Sequence, residues 1–144
     1  MMLKKFFFTG LLISICLITT SQTKSLSPSQ QKEIQNNLNL AKELEASGDF
    51  NSAISLYTKT ATAYWVSGNS NEAKTIFQKA IGLSQSIGNN NALKILYTNI
   101  GMINVDKENY TEALSYFEKC LAINRQQSRK SEIASTLINI AYLS

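Results

Sequence analysis

An all-α solenoid of antiparallel helix pairs is the fold this sequence predicts, and three observations predict it. The first is a self-similarity with a period of 40 residues. Gly68-Asn69-Ser70-Asn71-Glu72-Ala73 returns as Glu108-Asn109-Tyr110-Thr111-Glu112-Ala113, and Phe77, Lys79, Ala80 and Ile81 return as Phe117, Lys119, Cys120 and Leu121. Upstream, Tyr57 and Ala61 match Tyr97 and Gly101, and Asn99-Ile100-Gly101 recurs as Asn139-Ile140-Ala141. A fixed period in this range marks stacked copies of one supersecondary unit. The second observation is apolar spacing of three and four residues between short polar breaks. The third is that Pro28 is the only proline, so nothing after it interrupts a helix.

The elements follow in order. Ser29 is the expected N-cap of the first helix, with Lys32 and Glu33 in its first turn and Ile34, Leu38, Ala41 and Leu44 on its apolar face. Gly48-Asp49 ends it, and Asn51 is the expected cap of the second helix, whose face is Ala53, Ile54, Tyr57, Ala61, Tyr64 and Trp65. After Gly68-Asn69, the third helix carries Ala73, Ile76, Phe77, Ala80, Ile81 and Leu83. After Gly88-Asn89-Asn90, the fourth carries Leu93, Leu96, Tyr97, Ile100, Gly101 and Ile103. The polar stretch Asp106 to Asn109 precedes a fifth, with Tyr110, Ala113, Leu114, Phe117, Cys120, Leu121 and Ile123. A sixth follows Gln126 to Lys130, with Ile133, Leu137, Ile140 and Ala141. Six helices of about 14 to 18 residues joined by short turns force antiparallel neighbours. Small residues at 61, 73, 101 and 113 let axes approach, and Tyr57, Phe77, Tyr97 and Phe117 fill the space beside them.

The first 21 residues are a different material. Lys4 and Lys5 precede an apolar stretch from Phe6 to Ile18, and Thr19-Thr20-Ser21 supplies small residues. This is the layout of a secretory signal cleaved after Ser21, so the chain is expected to be exported. A retained anchor needs about 20 apolar residues, and a lipoprotein cysteine at Cys16 usually follows a small residue, where Ile15 stands. Residues 22–29 read as a flexible leader and 30–144 as the repeat domain.

Composition excludes much. Without Lys4 and Lys5, 12 basic residues of 14 face 10 acidic ones, a net of +2 with no stripe for nucleic acid. Arg125, Arg129 and Lys130 form the only local basic cluster and read as a solvated C-terminal turn. With Cys16 removed, Cys120 stands alone where the matching unit has Ala80, the place of a small core residue. There is no histidine, the commonest general base and metal ligand. Glu43, Glu45 and Asp49 read as a solvated face and turn. No cofactor, metal or catalytic residue is expected.

Tyr97, Ile100, Gly101, Tyr110, Ala113, Phe117 and Cys120 fall at the spacing of the tetratricopeptide repeat, and Tyr57, Ala61, Tyr64, Gly68, Ala73, Phe77 and Ala80 repeat the set one period earlier. Gly48-Asp49-Phe50 with Ala53 and Tyr57 resembles the turn of a further, degenerate unit. The resemblance covers residues 30 to 144. Two departures stand out. The period is 40 where the family usually has 34, and Arg125 replaces a helix-ending proline, so extended helices are expected. The 40-residue type is similar to the arrays that precede the transmembrane segment of bacterial sensor histidine kinases. The resemblance implies a protein or peptide partner held on the concave face made by the first helix of each unit. It offers Thr98, Asn99 and Met102, then Asn139 and Tyr142, with Trp65 from the preceding unit. In the family an asparagine before the Ile-Gly or Ile-Ala pair often grips peptide backbone, which implies that role for Asn99 and Asn139; Lys59 replaces it one unit earlier. Membrane association is expected only through an uncleaved signal or a missing downstream segment. The last helix leaves Ile133, Leu137, Ile140 and Leu143 without a following helix, which points to a truncated array or to self-association through residues 131–144.

Overall fold

The computed structural model describes residues 25–143 as six helices, with no strand among those residues. They are α1 (Pro28–Ala46), α2 (Phe50–Val66), α3 (Ser70–Ser86), α4 (Asn90–Asp106), α5 (Tyr110–Gln126) and α6 (Lys130–Ala141). The expected signal, residues 1–21, and the start of the leader lie outside the described residues. Among the described residues no helix is long and apolar enough to cross a membrane.

From α3 onward each helix starts 20 residues after the one before it. Helices of 17 residues alternate with three-residue turns, and two such steps make the 40-residue unit. At about 1.5 Å per residue each helix is about 25 Å long. The turns share one geometry. The middle residue is left-handed at Gly48, Gly68, Gly88, Glu108 and Ser128, with φ of 84°, 85°, 66°, 60° and 55°. The residue after it donates back to the third-last carbonyl of the helix, as in Asn69 N to Tyr64 O at 2.9 Å and Asn109 N to Asn104 O at 2.8 Å. This is the Schellman arrangement, and it satisfies carbonyls the helix end leaves open.

The caps correct two expectations. Ser27, not Ser29, opens α1: its Oγ accepts from Gln30 N at 3.3 Å, and Gln30 Oε1 accepts from Ser27 N at 2.9 Å. Pro28 then takes the first helical position, where its missing N–H costs nothing. Asp49, not Asn51, caps α2, accepting from Ser52 N at 3.2 Å. In a three-residue turn the residue that closes one helix also caps the next, so Asn51 already lies inside α2. Three further differences concern the second half. Tyr110 is 49% exposed, because the buried stripe of α5 begins at Ala113. Arg129 and Lys130 open α6 instead of closing α5, and α6 has 12 residues, short of the expected 14 to 18.

Consecutive helices pack side by side along the chain. The core joins Ala41 of α1, Ala53, Ile54, Tyr57 and Ala61 of α2, Ala73, Phe77 and Ala80 of α3, and Leu96, Ile100 and Ile103 of α4. Ala113 and Phe117 continue it into α5. At Gly101 the ring of Phe117 lies where a side chain would begin: a Cβ there would stand 2.5 Å from Phe117 Cε1. Only Thr136 of α6 is buried; of the expected stripe Leu137 is exposed and Ile133, Ile140 and Leu143 are half-buried, and Ile138 and Tyr142 are exposed beside it.

Polar ties link helices about one unit apart. Lys74 Nζ meets Glu112 Oε2 at 2.9 Å, Lys94 Nζ meets Glu132 Oε2 at 2.5 Å, and Asn89 Nδ2 donates to Asn51 Oδ1 at 2.9 Å. Lys107 donates to Asn71 across the same span. Glu45 accepts from both Lys79 Nζ at 2.6 Å and Tyr57 Oη at 3.0 Å, joining α1, α2 and α3. The Lys79 bond holds the Glu45 carboxyl below its usual range, while burial and then Glu45 push the Tyr57 phenol up to about 12.

Candidate functional site

A groove of about 590 Å³ opens between α4 and α6, with α5 beneath it. The 20-residue step makes it: α4 and α6 are alternate helices, each packed on α5, and their facing sides are left apart. Because Asn99 and Asn139 are one 40-residue period apart, they fall at the same height on these two helices. Both line the groove, as does Thr98. Both carboxamides are half-buried, and among the described residues neither makes a hydrogen bond within the chain. Each keeps a donor and an acceptor free for a ligand.

The floor is polar and largely satisfied internally. Thr98 Oγ1 donates to Lys94 O at 2.9 Å and lies 3.6 Å from Cys120 Sγ. Thr136 Oγ1 donates to Glu132 O at 2.8 Å and accepts from Asn124 Nδ2 at 3.1 Å. Asn124 Oδ1 is buried without a partner. Cys120 is 4% exposed and fills the small position expected of it, packed with Leu93 and Tyr97 while its Sγ meets Thr136 and Asn124 on the groove side. Three charged residues line the groove: Lys94, Glu132 and Arg129. Lys94 Nζ and Arg129 Nη1 both turn to Glu132, at 2.5 and 3.4 Å. The Lys94 hydrogen bond, with Lys94 and Arg129 charge behind it, holds the Glu132 carboxyl below its usual range.

The remaining expected site residues lie elsewhere. Met102 is half-buried on α4 outside the groove lining, and Tyr142 caps α6 at 82% exposure. Trp65 packs its ring against the core, and its Nε1 donates to Asp106 Oδ2 at 2.9 Å, tying the end of α2 to the end of α4. In the preceding unit Lys59 and Thr62 line a separate hollow of about 370 Å³ against α1, where Lys59 meets Glu33 at 3.5 Å. The asparagine pair is therefore not part of one continuous ladder along the array. Sequence reasoning missed Lys94, Glu132, Arg129 and Asn124. One signal could have found the first two: Lys74 and Glu112 have the same 38-residue spacing one helix earlier.

Stacked antiparallel helix pairs on a fixed period, with a groove between alternate helices, define an α-solenoid repeat protein. Residues 60–126 match the family model of the tetratricopeptide repeat, which supports a tetratricopeptide repeat array. No curated protein matches the chain. Tetratricopeptide repeats generally mediate protein–protein interaction and are typically non-enzymatic.

Proposed function

We propose that this array binds an extended segment of a partner protein in the α4–α6 groove, with Asn99 and Asn139 holding its main chain. One observation carries the reading: two carboxamides on facing helices line one groove and have no hydrogen bond within the chain. A carboxamide accepts from a peptide N–H and donates to its C=O, so a pair one unit apart fits an extended chain. The test is selection of peptides from a displayed library on the wild-type domain, followed by measurement of their affinity for Asn99→Ala and Asn139→Ala. Each substitution is expected to weaken binding about two- to tenfold without changing the melting midpoint, since a lost ligand hydrogen bond costs about 0.5–1.5 kcal/mol, and more when the partner group is left buried. Undiminished affinity in both variants would refute the reading.

The layout Lys4-Lys5, Phe6 to Ile18 and Ser21 supports an exported location for the array. Envelope material should then contain a chain beginning near Gln22, and an intact Met1 in that material would refute export. The 40-residue period supports the finer reading that the array is the sensory part of a larger signalling protein such as a sensor histidine kinase. A gene continuing into a membrane span and a histidine-bearing helical segment would bear it out, and one continuing into neither would count against it. Exposed Leu137, Ile138 and Tyr142 support α6 as the surface of any self-association. A monomer at high concentration in analytical ultracentrifugation would count against that reading.

A further inference from the structure

The α4–α6 groove contains two cations, yet neither is free for a ligand. Lys94 and Arg129 converge on Glu132, which is itself 39% exposed along its side chain and stands at the groove surface. The three are not dictated by the repeat. One 40-residue period earlier, Ile54, Asn89 and Ala92 occupy the positions of Lys94, Arg129 and Glu132. The related tie one helix back, Lys74 to Glu112, has a single cation, because Asn109 stands where Arg129 does. The arrangement of two cations around one carboxylate thus belongs to this groove and is not a requirement of the stacking. The Lys94 side chain is only 12% exposed, so its charge is held close to protein and is weakly screened.

We propose that Glu132 sets the charge selectivity of this groove: as a built-in counter-ion it keeps Lys94 and Arg129 from holding an acidic ligand, so the groove takes an uncharged extended main chain. The inference rests on the reading that this groove is the binding face. An arriving carboxylate must displace Glu132 from both cations and then lie beside it, so like-charge repulsion opposes entry. A neutral main chain displaces nothing and meets Asn99 and Asn139 directly. Removing the Glu132 charge leaves two neighbouring cations facing an open groove, which is the minimum of an anion site. Glu132 is therefore a specificity residue whose loss creates a new preference.

The experiment compares N-acetylated, C-amidated tetra-aspartate and tetra-asparagine as probes, titrated into the wild-type protein and Glu132→Gln. Binding is followed through the amide resonances of Thr98, Asn99 and Asn139. The wild-type protein is expected to bind tetra-aspartate no more tightly than tetra-asparagine. Glu132→Gln is expected to bind tetra-aspartate at least tenfold more tightly than the wild type does, with the gain lost in Glu132→Gln/Lys94→Gln. Wild-type binding of tetra-aspartate as tight as that of Glu132→Gln, or no gain in Glu132→Gln, would overturn the proposal. A melting midpoint measured for each variant separates loss of fold from loss of selectivity. Because this readout does not depend on the asparagine carboxamides, failure of main-chain binding and failure of charge selection give different results.

Discussion

Gly101 is the most exacting position in the array, and adding one methyl group there tests the packing directly. A Cβ at Gly101 would stand 2.5 Å from Phe117 Cε1 and 2.9 Å from both Cδ1 and Cζ. Phe117 is 1% exposed, so its ring cannot swing into solvent. Two effects oppose one another in Gly101→Ala. Alanine gains about 1 kcal/mol over glycine in a helix interior. Overpacking a filled core costs about 1–3 kcal/mol. The matching position one unit earlier is Ala61, in the same core as Phe77, so a crossing of this kind can be built around a methyl group. That places the cost toward the lower end, and the net change at about 0 to 1 kcal/mol destabilising. The single variant is therefore a weak test, and the decisive quantity is the coupling. In a Phe117→Leu background the ring is gone, and Gly101→Ala should then deliver its full helical gain of about 1 kcal/mol. Urea unfolding of the four proteins yields an interaction energy of about 1–3 kcal/mol if the ring and the methyl group compete for one space. If Gly101→Ala stabilises both backgrounds equally, by about 1 kcal/mol, the close approach of α4 to the Phe117 ring does not exist.

Two further predictions concern the turns and the polar ties. Glu108 and Ser128 hold left-handed φ values where Gly48, Gly68 and Gly88 hold the same place in other turns. The left-handed conformation costs a side chain about 1–2 kcal/mol, and glycine loses about 0.4–1 kcal/mol more chain entropy on folding. Glu108→Gly should therefore gain up to about 1 kcal/mol and raise the melting midpoint by a few degrees; an unchanged or lower midpoint contradicts the turn geometry. Gln85 occupies the place of Glu45 one unit on: its Nε2 donates to Tyr97 Oη at 3.1 Å, while Lys119, without a carboxylate there, lies over the rings of Tyr116 and Tyr97 at 4.8 and 5.8 Å. Gln85→Glu should pair with Lys119 as Glu45 pairs with Lys79 and stabilise by about 0.2–1 kcal/mol. A carboxyl held below its ordinary value stabilises above that value and loses the contribution as pH falls through the lowered one. The gain should accordingly be present at pH 7 and vanish in acid; a gain that persists at pH 2 would have another origin.

The two groove asparagines show how far the sequence reaches. Asn99 and Asn139 share a place in the period, so equal helices and equal turns must bring them to matching heights, whatever the details of packing. The same reasoning offered Met102, Tyr142 and Trp65, which lie outside the lining of that groove. A helical wheel says which side of a helix a residue occupies; it does not say whether a neighbour already holds its polar atom. Trp65 is held by Asp106, 41 residues away.

By itself the sequence determined the repeat, the six helices of the described residues, the antiparallel order and most of the buried faces. Those features are local: apolar spacing fixes a helix face, and a left-handed turn residue fixes where the helix stops. The tertiary structure alone decided the rest. It closed the crossing of α4 on Phe117 and left α4 and α6 apart above α5. It brought Lys94 and Arg129 together on Glu132 and placed Asn124 beneath them. Arg129 and Glu132 are local neighbours at the start of α6, but the approach of Lys94 to Glu132 spans alternate helices and the Phe117 contact spans a helix crossing, and those distances depend on the rotation from one helix to the next. That rotation is set by side-chain volume at every crossing together, which no single stretch of sequence specifies.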